Sequence, residues 1–433
     1  MAALCIFAGM SLQACATIYD VHPTNYRALL HELRPGDELH LAPGEYVEGL
    51  PLSGVVGTAK APVVIKGPTR HAHAVLLARR GHNTISIQNS AYVTIKNLVL
   101  EGQGLPVDGV KCEGHADFAH HITLENLTIR GHGNNQQTVG ISTKCPAWGW
   151  VIRNNVIIGA GTGMYLGNSD GRAPFVGGLI EHNLIVDSIG YNLQIKHQAP
   201  RPELPGMPST PSETVIRHNV FAKTAPLREG AQPRPSVLVG HWPKTGAGSD
   251  DRYLIYGNFF YGNPAESLFQ GEGNLALYNN LFVAPDRDAI RIQPHNDIPK
   301  HIVVAYNTVL AREAGIVLAR GHGSEWFAQV VSHNAVFAGQ PLMGIEGGEN
   351  RVGSLEQSGR YLTAPHFALG ALDLRPKPGA LGVQDAFRDG SVLPGLHLDF
   401  DGRQRYPRVA GAYTESDGPL RWRPNLNRTP IHE

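Results

Sequence analysis

The stretch VTIKNLVL, residues 93–100, sets apolar side chains on both sides of one asparagine, Asn97. Before Asn97 the apolar and polar residues alternate, which is the period of a β-strand with one buried face. The same pattern returns eight times along the chain, as ITLENLTI, WVIRNNVII, LIEHNLIV, VIRHNVF, LIYGNFF, LALYNNLF, VVAYNTVL and VVSHNAVF. A unit that recurs in this way indicates a solenoid, in which each repeat stacks on the next.

The spacing of the repeat asparagines predicts the kind of solenoid. They are Asn97, Asn126, Asn155, Asn183, Asn219, Asn258, Asn280, Asn307 and Asn334, with spacings of 29, 29, 28, 36, 39, 22, 27 and 27 residues. Strand-like alternation and β-branched residues exclude helical repeats, and the leucines of leucine-rich repeats are missing. We predict an all-β fold, a single-stranded right-handed parallel β-helix of about nine to eleven coils. Coils lie about 4.8 Å apart, so the asparagines are expected to form one ladder of side-chain amides.

The predicted β-helix covers residues 16–345, and residues 346–433, which lack the repeat, are expected to form an irregular cap packed on it. The chain has 433 residues with 37 basic and 37 acidic side chains. This balance gives no overall field that would attract nucleic acid or a membrane surface. P-loop, dinucleotide-binding and zinc motifs are absent from the sequence.

The first residues, MAALCIFAGMSLQACA, form an apolar run that is too short to span a bilayer. We interpret residues 1–15 as a secretory signal, in which Leu12–Cys15 resembles a bacterial lipoprotein box. We therefore expect a bacterial protein exported to the periplasm, the outer membrane or the medium, with Cys15 as a candidate lipid anchor, and a monomer. Cys112 and Cys145 occupy what look like equivalent repeat positions, as either a disulfide or two stacked thiols.

A second strand follows each asparagine, and its outward positions form a polar band rich in cations. The band contains Lys111, Glu113, Lys144, Tyr165, Asn168, Asp170, Gln194, Lys196, His197, His241, Trp242, Glu272, Arg291, Gln293, His295, Arg320 and His322. Lysine and arginine pair with carboxylates or sulfates, and aromatic rings pack on sugar faces. We therefore predict a groove that binds an anionic polysaccharide.

Two segments resemble a known family. YRALLHELRPGDELHLAPGEYVEGLPLSGVVGTAKAPVVIKGP, residues 26–68, is similar to the first coil of the secreted β-helix polysaccharide lyases, the alginate lyase and chondroitinase B group. DFDGRQRYPRVAGAYTE, residues 399–415, resembles the closing segment of exported bacterial β-helix proteins. The resemblance implies a divergent, exported lyase that cleaves a uronic-acid polysaccharide by β-elimination.

In that family a lysine removes the proton at C5 of a uronic acid, an arginine on the next coil assists, and calcium neutralises the carboxylate. Lys196 in LQIKHQ matches the lysine, while Gly240 stands at the arginine and His241 follows it. Tyr191 and Gln194 stand where the family has calcium-binding glutamates. Calcium is therefore an open expectation, and no other cofactor is implied.

β-Elimination needs a group that holds the carboxylate, a base and an acid. We predict Lys196 as the base, Arg291 and Gln194 as candidate ligands of the carboxylate, and His241, His197 and Tyr165 as candidates for the acid or a second base. The predicted substrate-binding residues are Lys144, Asn168, Gln194, His197, Trp242, Gln293, His295, Arg320 and His322.

Three other functions stay open. An inverting glycoside hydrolase needs two carboxylates about 6.5–9.5 Å apart, for which Asp170, Glu272 and the pair Asp250–Asp251 are candidates. A uronan C5-epimerase is suggested by RIQPHND, residues 291–297, which is similar to an Asp-Pro-His-Asp site. A glycan-binding surface protein without catalysis would use the same groove.

Overall fold

A computed structural model describes residues 16–70, 72–319, 327–388, 390, 392–416 and 418–430. The predicted signal with Cys15, and the predicted ligands Arg320 and His322, lie outside the described residues. No helix in the described ranges has the length and apolar character needed to cross a membrane.

The chain folds as a parallel β-helix, as the repeat predicts. Strands from successive coils pair in parallel and in register on three faces, which we call A, B and C in the order in which each coil visits them. The strands stacked on face A are Ile18–Val21, Glu38–Leu41, Val63–Lys66, Ser90–Lys96, Ala119–Glu125, Val151–Arg153, Leu179–Glu181, Glu213–Arg217, Arg252–Tyr256, Leu275–Tyr278, Ile302–Ala305 and Gln329–Ser332, with Ala147–Trp148 and Phe175–Val176 beside them.

Faces B and C complete each coil. The strands of face B are Gly44–Tyr46, Ala74–Leu77, Leu98–Glu101, Thr128–Arg130, Val156–Ile158, Leu184–Val186, Val220–Lys223, Phe259–Gly262, Leu281–Ala284 and Arg351–Gly353. The strands of face C are Leu50–Ser53, Ile85–Gln88, Val110–Cys112, Val139–Thr143, Thr162–Leu166, Leu193–Ile195, Val237–Val239, Phe269–Gly271 and Ile290–Ile292. Two longer strands, Thr308–Leu318 and Ala335–Met343, run through both faces.

The core fills the interior of the coils. On each face every second side chain points inward, so Val93 and Ile95 are buried while Thr94 and Lys96 are partly exposed. The inward residues of all three faces join into one continuous apolar cluster along the rod. Each coil is therefore stabilised mainly by the coils above and below it.

The asparagine ladder is confirmed for seven of the nine predicted residues. From Asn183 to Asn334 each buried side-chain oxygen accepts hydrogen bonds from the backbone N–H and the side-chain amide of the preceding asparagine, the first of which is Asn155, at 2.9–3.0 Å. Asn350, which the repeat did not reveal, adds one more rung after Asn334.

Asn97 and Asn126 lie outside this ladder, although the side-chain amide of Asn126 donates to the oxygen of Asn97 at 2.8 Å. Both residues have positive φ, 59° and 53°, as does Asn154 (58°), and they lie on the outside of the same corner one position before the ladder. The backbone N–H of Leu127 occupies the ladder position and donates to Asn155. Asparagine tolerates the left-handed conformation, so it can stand at either position of this corner.

The chain after the last coil packs back along the rod. The coil structure continues to Gly353, past the predicted boundary at residue 345. Beyond it come the short helical segments Leu355–Gln357 and Ser358–Tyr361 and the antiparallel strands Leu362–Ala364 and Asp373–Pro376. Residues from this region form a second apolar cluster with the outer side of face B. At the other end, the helix Tyr26–Leu29 precedes the strands of the second coil.

The two cysteines of the folded part form a disulfide, with Cα atoms 6.0 Å apart. Their predicted equivalence was wrong, because Cys112 pairs with Thr143 in the parallel register and Cys145 comes two residues later.

Candidate functional site

The parallel register of face C places the predicted polar band in two outward columns. The first column is Ser86, Lys111, Ser142, Tyr165, Gln194, Leu238, Gln270 and Arg291. The second column, two residues further on each coil, is Glu113, Lys144, Gly167, Lys196, Gly240, Glu272 and Gln293. Side chains far apart in sequence therefore share one surface, at about 4.8 Å per coil.

Lys144, Tyr165 and Lys196 form the centre of this surface, on three successive coils. The Nζ of Lys144 lies 3.1 Å from the centroid of the Tyr165 ring, and the Nζ of Lys196 lies 6.0 Å from it. The Tyr165 ring thus stands between two ammonium groups, an arrangement that its π-electrons favour. We call these three residues the lysine–tyrosine cluster.

Glycines on the neighbouring coils pack closely against Lys196 and His197. A Cβ at Gly167, which has φ +87°, would lie 3.3 Å from the Cβ of Lys196. A Cβ at Gly240 would lie 2.3 Å from the backbone nitrogen of His197, which no side chain could fit. The glycine that replaces the family arginine is therefore required by close packing of the backbone.

Burial shifts the pKa values of the cluster in directions that suit proton transfer. It lowers the pKa of Lys144 to about 8. The pKa of Lys196 is lowered by burial and by the positive charge of Arg234, although Glu272 opposes the shift. The pKa of Tyr165 is raised by burial, so its phenol keeps its proton.

Arg234 is a site residue that the sequence analysis missed. It comes from an insertion, residues 224–236, between the face B strand Val220–Lys223 and the face C strand Val237–Val239. Its guanidinium carbon lies 5.8 Å from the centre of the Tyr191 ring, and its charge reaches Lys196. The only sequence signal is an arginine between two prolines, Pro233 and Pro235, because insertions do not follow the repeat register.

Two predicted residues, His241 and Trp242, do not face the groove. Trp242 is only 1% exposed, stacks on Tyr253 at 4.2 Å and donates from its indole nitrogen to the carbonyl of Asn274. The ring nitrogens of His241 lie 2.5 Å from the carbonyl oxygen of Trp242 and 3.1 Å from that of Ile298. The strand ends at Val239, and beyond it Trp242 joins the core cluster while His241 is buried against the loop that carries Ile298. We assign no proton-transfer role to His241 and no sugar contact to Trp242.

Arg291 lies on face C but apart from the cluster. It stands three strands beyond Gln194 in the first column, which is about 14 Å along the rod. Its guanidinium pairs with Asp288 and donates to Gln293 at 3.1 Å. Arg291 and Gln293 therefore bind each other, and Arg291 is too distant to hold a carboxylate beside Lys196.

The remaining predicted ligands have mixed surroundings. Asn168 accepts a hydrogen bond from the backbone of Ala173 and shapes a turn, and Gln194 is 4% exposed. His197 is half-buried beside Lys196, and burial together with that charge lowers its pKa. His295 is exposed, and its backbone N–H donates to Glu272.

The residues near Lys196 do not fit the calcium site of the family. Asn192, in the stretch where the family has glutamates, is fully buried and donates to the carbonyl of Ala222. Over the described ranges no three acidic, histidine or cysteine side chains come together as metal ligands. We derive no step through calcium.

The carboxylates predicted for a hydrolase serve the fold. Asp251 is 1% exposed and forms a buried ion pair with Arg201. Glu272 is equally buried, and one of its oxygens accepts backbone hydrogen bonds from His295, Asn296 and Asp297. Asp170 is exposed, and its side chain bonds to the backbone of Arg172 within a turn.

Comparison with known proteins gives likenesses of fold. No family model and no curated protein sequence matches the chain. Among solved structures, an alginate lyase from Paenibacillus sp. str. FPU-7 superposes with a TM-score of 0.46 at 15% identity, over 78% of this chain and 99% of that chain.

Two further solved structures superpose at similar levels. The periplasmic alginate epimerase AlgG, as a double mutant, has a TM-score of 0.43 at 11% identity, over 78% of this chain and 83% of that chain. A GH136 lacto-N-biosidase from Eubacterium ramulus has a TM-score of 0.42 at 11% identity, over 78% of this chain and 68% of that chain. The solved structures that this chain resembles thus include alginate lyases and an alginate epimerase. The likeness concerns the path of the chain and assigns neither an activity nor a residue role.

Proposed function

We propose that the protein is an exported lyase that cleaves a uronic-acid polysaccharide by β-elimination in the groove of face C. The observation that carries the proposal is the lysine–tyrosine cluster: two half-buried lysines on either side of a tyrosine, on three successive coils. The sequence resemblance to the β-helix polysaccharide lyases supports the same reaction.

The substrate carboxylate would be held by cations. Arg234 and Lys144 approach the centre of the cluster from the insertion and from face C, and Arg234 presents planar N–H donors that match a carboxylate. Holding this group in a partly desolvated site stabilises the negative charge that develops when the C5 proton leaves.

Lys196 would be the base, since burial and Arg234 lower its pKa and so increase the neutral fraction. Its amine takes the proton from C5, and the electrons of the C5–H bond form the C4–C5 double bond. The bond from C4 to the glycosidic oxygen breaks at the same time. The Tyr165 phenol gives its proton to that oxygen, and the products are a new chain end and a 4,5-unsaturated uronate.

The test measures product formation from alginate, polygalacturonate and chondroitin sulfate. We expect ultraviolet absorbance from the unsaturated product with at least one of them. Lys196→Ala should lower kcat by about 10²-fold or more, because general-base catalysis is lost. Lys96→Ala, a lysine on face A, is the matched control and should keep the wild-type rate.

The other functions give different results with the same substrates. Reducing ends without the absorbance would show a hydrolase, and exchange of the C5 hydrogen with solvent without cleavage would show an epimerase. Binding without any product would show a glycan-binding protein. Each of these results, or full activity of Lys196→Ala, would contradict the proposal.

A further inference from the structure

The insertion that carries Arg234 is fastened to the rod along its whole length. We call residues 224–236 the strap. At its start, Asp187 accepts hydrogen bonds from the backbone nitrogens of Thr224 and Ala225, at 2.6 and 3.1 Å. The strap thus leaves the corner between faces B and C in a fixed direction.

The middle of the strap is tied to a coil much earlier in the chain. The side chain of Gln136 donates to the carbonyl of Gln232 at 2.8 Å and accepts from its backbone N–H at 3.1 Å. Arg228 donates to the carbonyl of Gly133 at 2.7 Å. This coil continues into the face C strand Val139–Thr143, three strands before the strap's own strand. The strap therefore runs beside all three coils of the lysine–tyrosine cluster.

The end of the strap is held by a buried lysine. The carbonyl oxygen of Arg234 accepts from the Nζ of Lys223 at 3.1 Å and from the side-chain amide of Asn263 at 2.9 Å. Lys223 is 5% exposed. Its nearest charged groups are Glu266 and Asp187, which favour its charge, and Arg234, which opposes it; burial lowers its pKa to about 7.

Burying an ammonium group at this depth costs free energy, and burying an apolar side chain of similar size would cost less. What Lys223 supplies is a donor to one particular carbonyl, that of Arg234. Prolines on both sides of Arg234 restrict the backbone further, because each fixes its own φ. Holding this carbonyl therefore orients the Arg234 side chain towards Tyr191 and Lys196.

We propose that Lys223 is a positioning residue, which holds the strap so that Arg234 binds the substrate carboxylate next to Lys196. This inference rests on the proposed function of face C. Lys223 is not a catalytic residue, since its amine is turned towards the strap carbonyl and acts only through Arg234.

A double-mutant cycle tests the inference. Lys223→Met keeps the length of the side chain but removes the donor, and should raise KM about tenfold or more and lower kcat as well, because Arg234 holds the carboxylate both in the bound substrate and as the C5 proton leaves. Arg234→Ala should raise KM by at least as much. If Lys223 acts through Arg234, the double variant should be no worse than Arg234→Ala alone, because the two effects are not independent.

Lys300→Met is the matched control. Lys300 is also buried and donates to loop carbonyls, those of Pro243 and Ser249, but on the other side of face C. A KM rise of equal size in Lys300→Met, or additive effects of Lys223→Met and Arg234→Ala, would overturn the inference.

A second measurement does not depend on turnover. Amide hydrogen exchange in residues 227–232 should be faster in Lys223→Met than in the wild type, and unchanged in Lys300→Met. Affinity for a saturated hexagalacturonate or hexamannuronate, measured by calorimetry, should fall in Lys223→Met. If the wild type degrades no polyuronate, the proposed function fails. Faster amide exchange and weaker oligosaccharide binding in Lys223→Met would still support the role of Lys223 in holding the strap. Unchanged exchange in a folded Lys223→Met would refute it.

Discussion

At the scale of single residues, surroundings decide what each lysine can do. Lys66 on face A pairs with Glu38 at 2.6 Å. Lys144 and Lys196 lie on face C beside the Tyr165 ring and are partly desolvated. Partial burial disfavours the charged form of both amines, so each loses its proton at a lower pH than an exposed lysine does.

The two lysines predict opposite effects of pH on catalysis and on substrate binding. The Lys196 base works when it has lost its proton, so kcat should rise with pH as its lowered pKa is passed. Lys144 holds the carboxylate only while charged, and its pKa is about 8, so substrate binding should weaken above that pH. Lys144→Arg stays charged and should extend substrate binding to higher pH. Binding that weakens above the same pH in Lys144→Arg would exclude this role for Lys144.

The residues that the sequence could not place all lie outside the paired strands. Alternation of sides holds only within a strand, and the strand Val237–Val239 ends before His241 and Trp242. Arg234 lies in an insertion, where the repeat says nothing about direction. Lys144, Tyr165 and Lys196 were placed correctly on one surface because each lies in or beside a paired strand.

At the scale of elements, the asparagine ladder fixes the corner between faces A and B. Each ladder asparagine donates to a backbone carbonyl of the preceding coil and accepts from a backbone N–H of that coil. Asn219 donates to the carbonyls of Ile180 and Arg217 and to the side chain of Asn258, and it accepts from the backbone of Asn183. A corner of this kind has no other partner for these groups, and unpaired buried groups are costly.

Asn219→Ala should therefore destabilise the fold by about 3 kcal/mol, because it leaves several backbone groups buried without partners. The measurement is the urea midpoint of unfolding. The control is Asn126→Gly, at an exposed corner position outside the ladder where glycine keeps the positive φ. An equal loss in both variants would contradict the special role of the ladder.

The disulfide joins two neighbouring coils of face C beside Lys144. Cys112 and Cys145 are 33 residues apart, and closing a loop of that size stabilises a fold by about 3–4 kcal/mol in the chain-entropy account. The double variant Cys112→Ser with Cys145→Ser should unfold at lower denaturant than the oxidised wild type. Adding reductant should lower the wild-type midpoint and leave the variant unaffected; equal midpoints in all cases would refute this contribution.

The C-terminal region packs along the outside of the rod. Trp422 packs on Phe259 of face B, with ring centres 5.7 Å apart, and on Phe400 at 6.0 Å. Thr429 donates to the carbonyl of His218 near the corner of faces A and B. These contacts lie away from face C, so stability and activity should be separable.

Trp422→Ala should lower stability by about 3–5 kcal/mol, as expected for a large aromatic ring that is 8% exposed. The substrate affinity of the folded variant should equal that of the wild type. Tyr406→Ala, at a ring that is 58% exposed, should change stability by about 0.5 kcal/mol or less. Thermal unfolding and substrate binding together check this, and weaker binding in Trp422→Ala would show that the C-terminal region shapes the groove.

The repeat predicted the architecture because stacking requires the same pattern in every coil, and the coils from Asn155 onward obey it. It could not separate two adjacent corner positions that both favour asparagine, which is why Asn97 and Asn126 were misplaced. The shared surface of face C was predicted from the same register, but the strap beside it was not, since the strap is held by single contacts such as that of Gln136 with Gln232.

A crystal structure of Lys196→Ala with a bound hexauronate would show whether the substrate binds to the cations of face C as proposed. We predict a sugar carboxylate between Arg234 and Lys144, with C5 facing the space left by the lysine side chain and the glycosidic oxygen near the Tyr165 hydroxyl. An oligosaccharide bound on another face, or on face C with its carboxylates turned away from these cations, would contradict the claim.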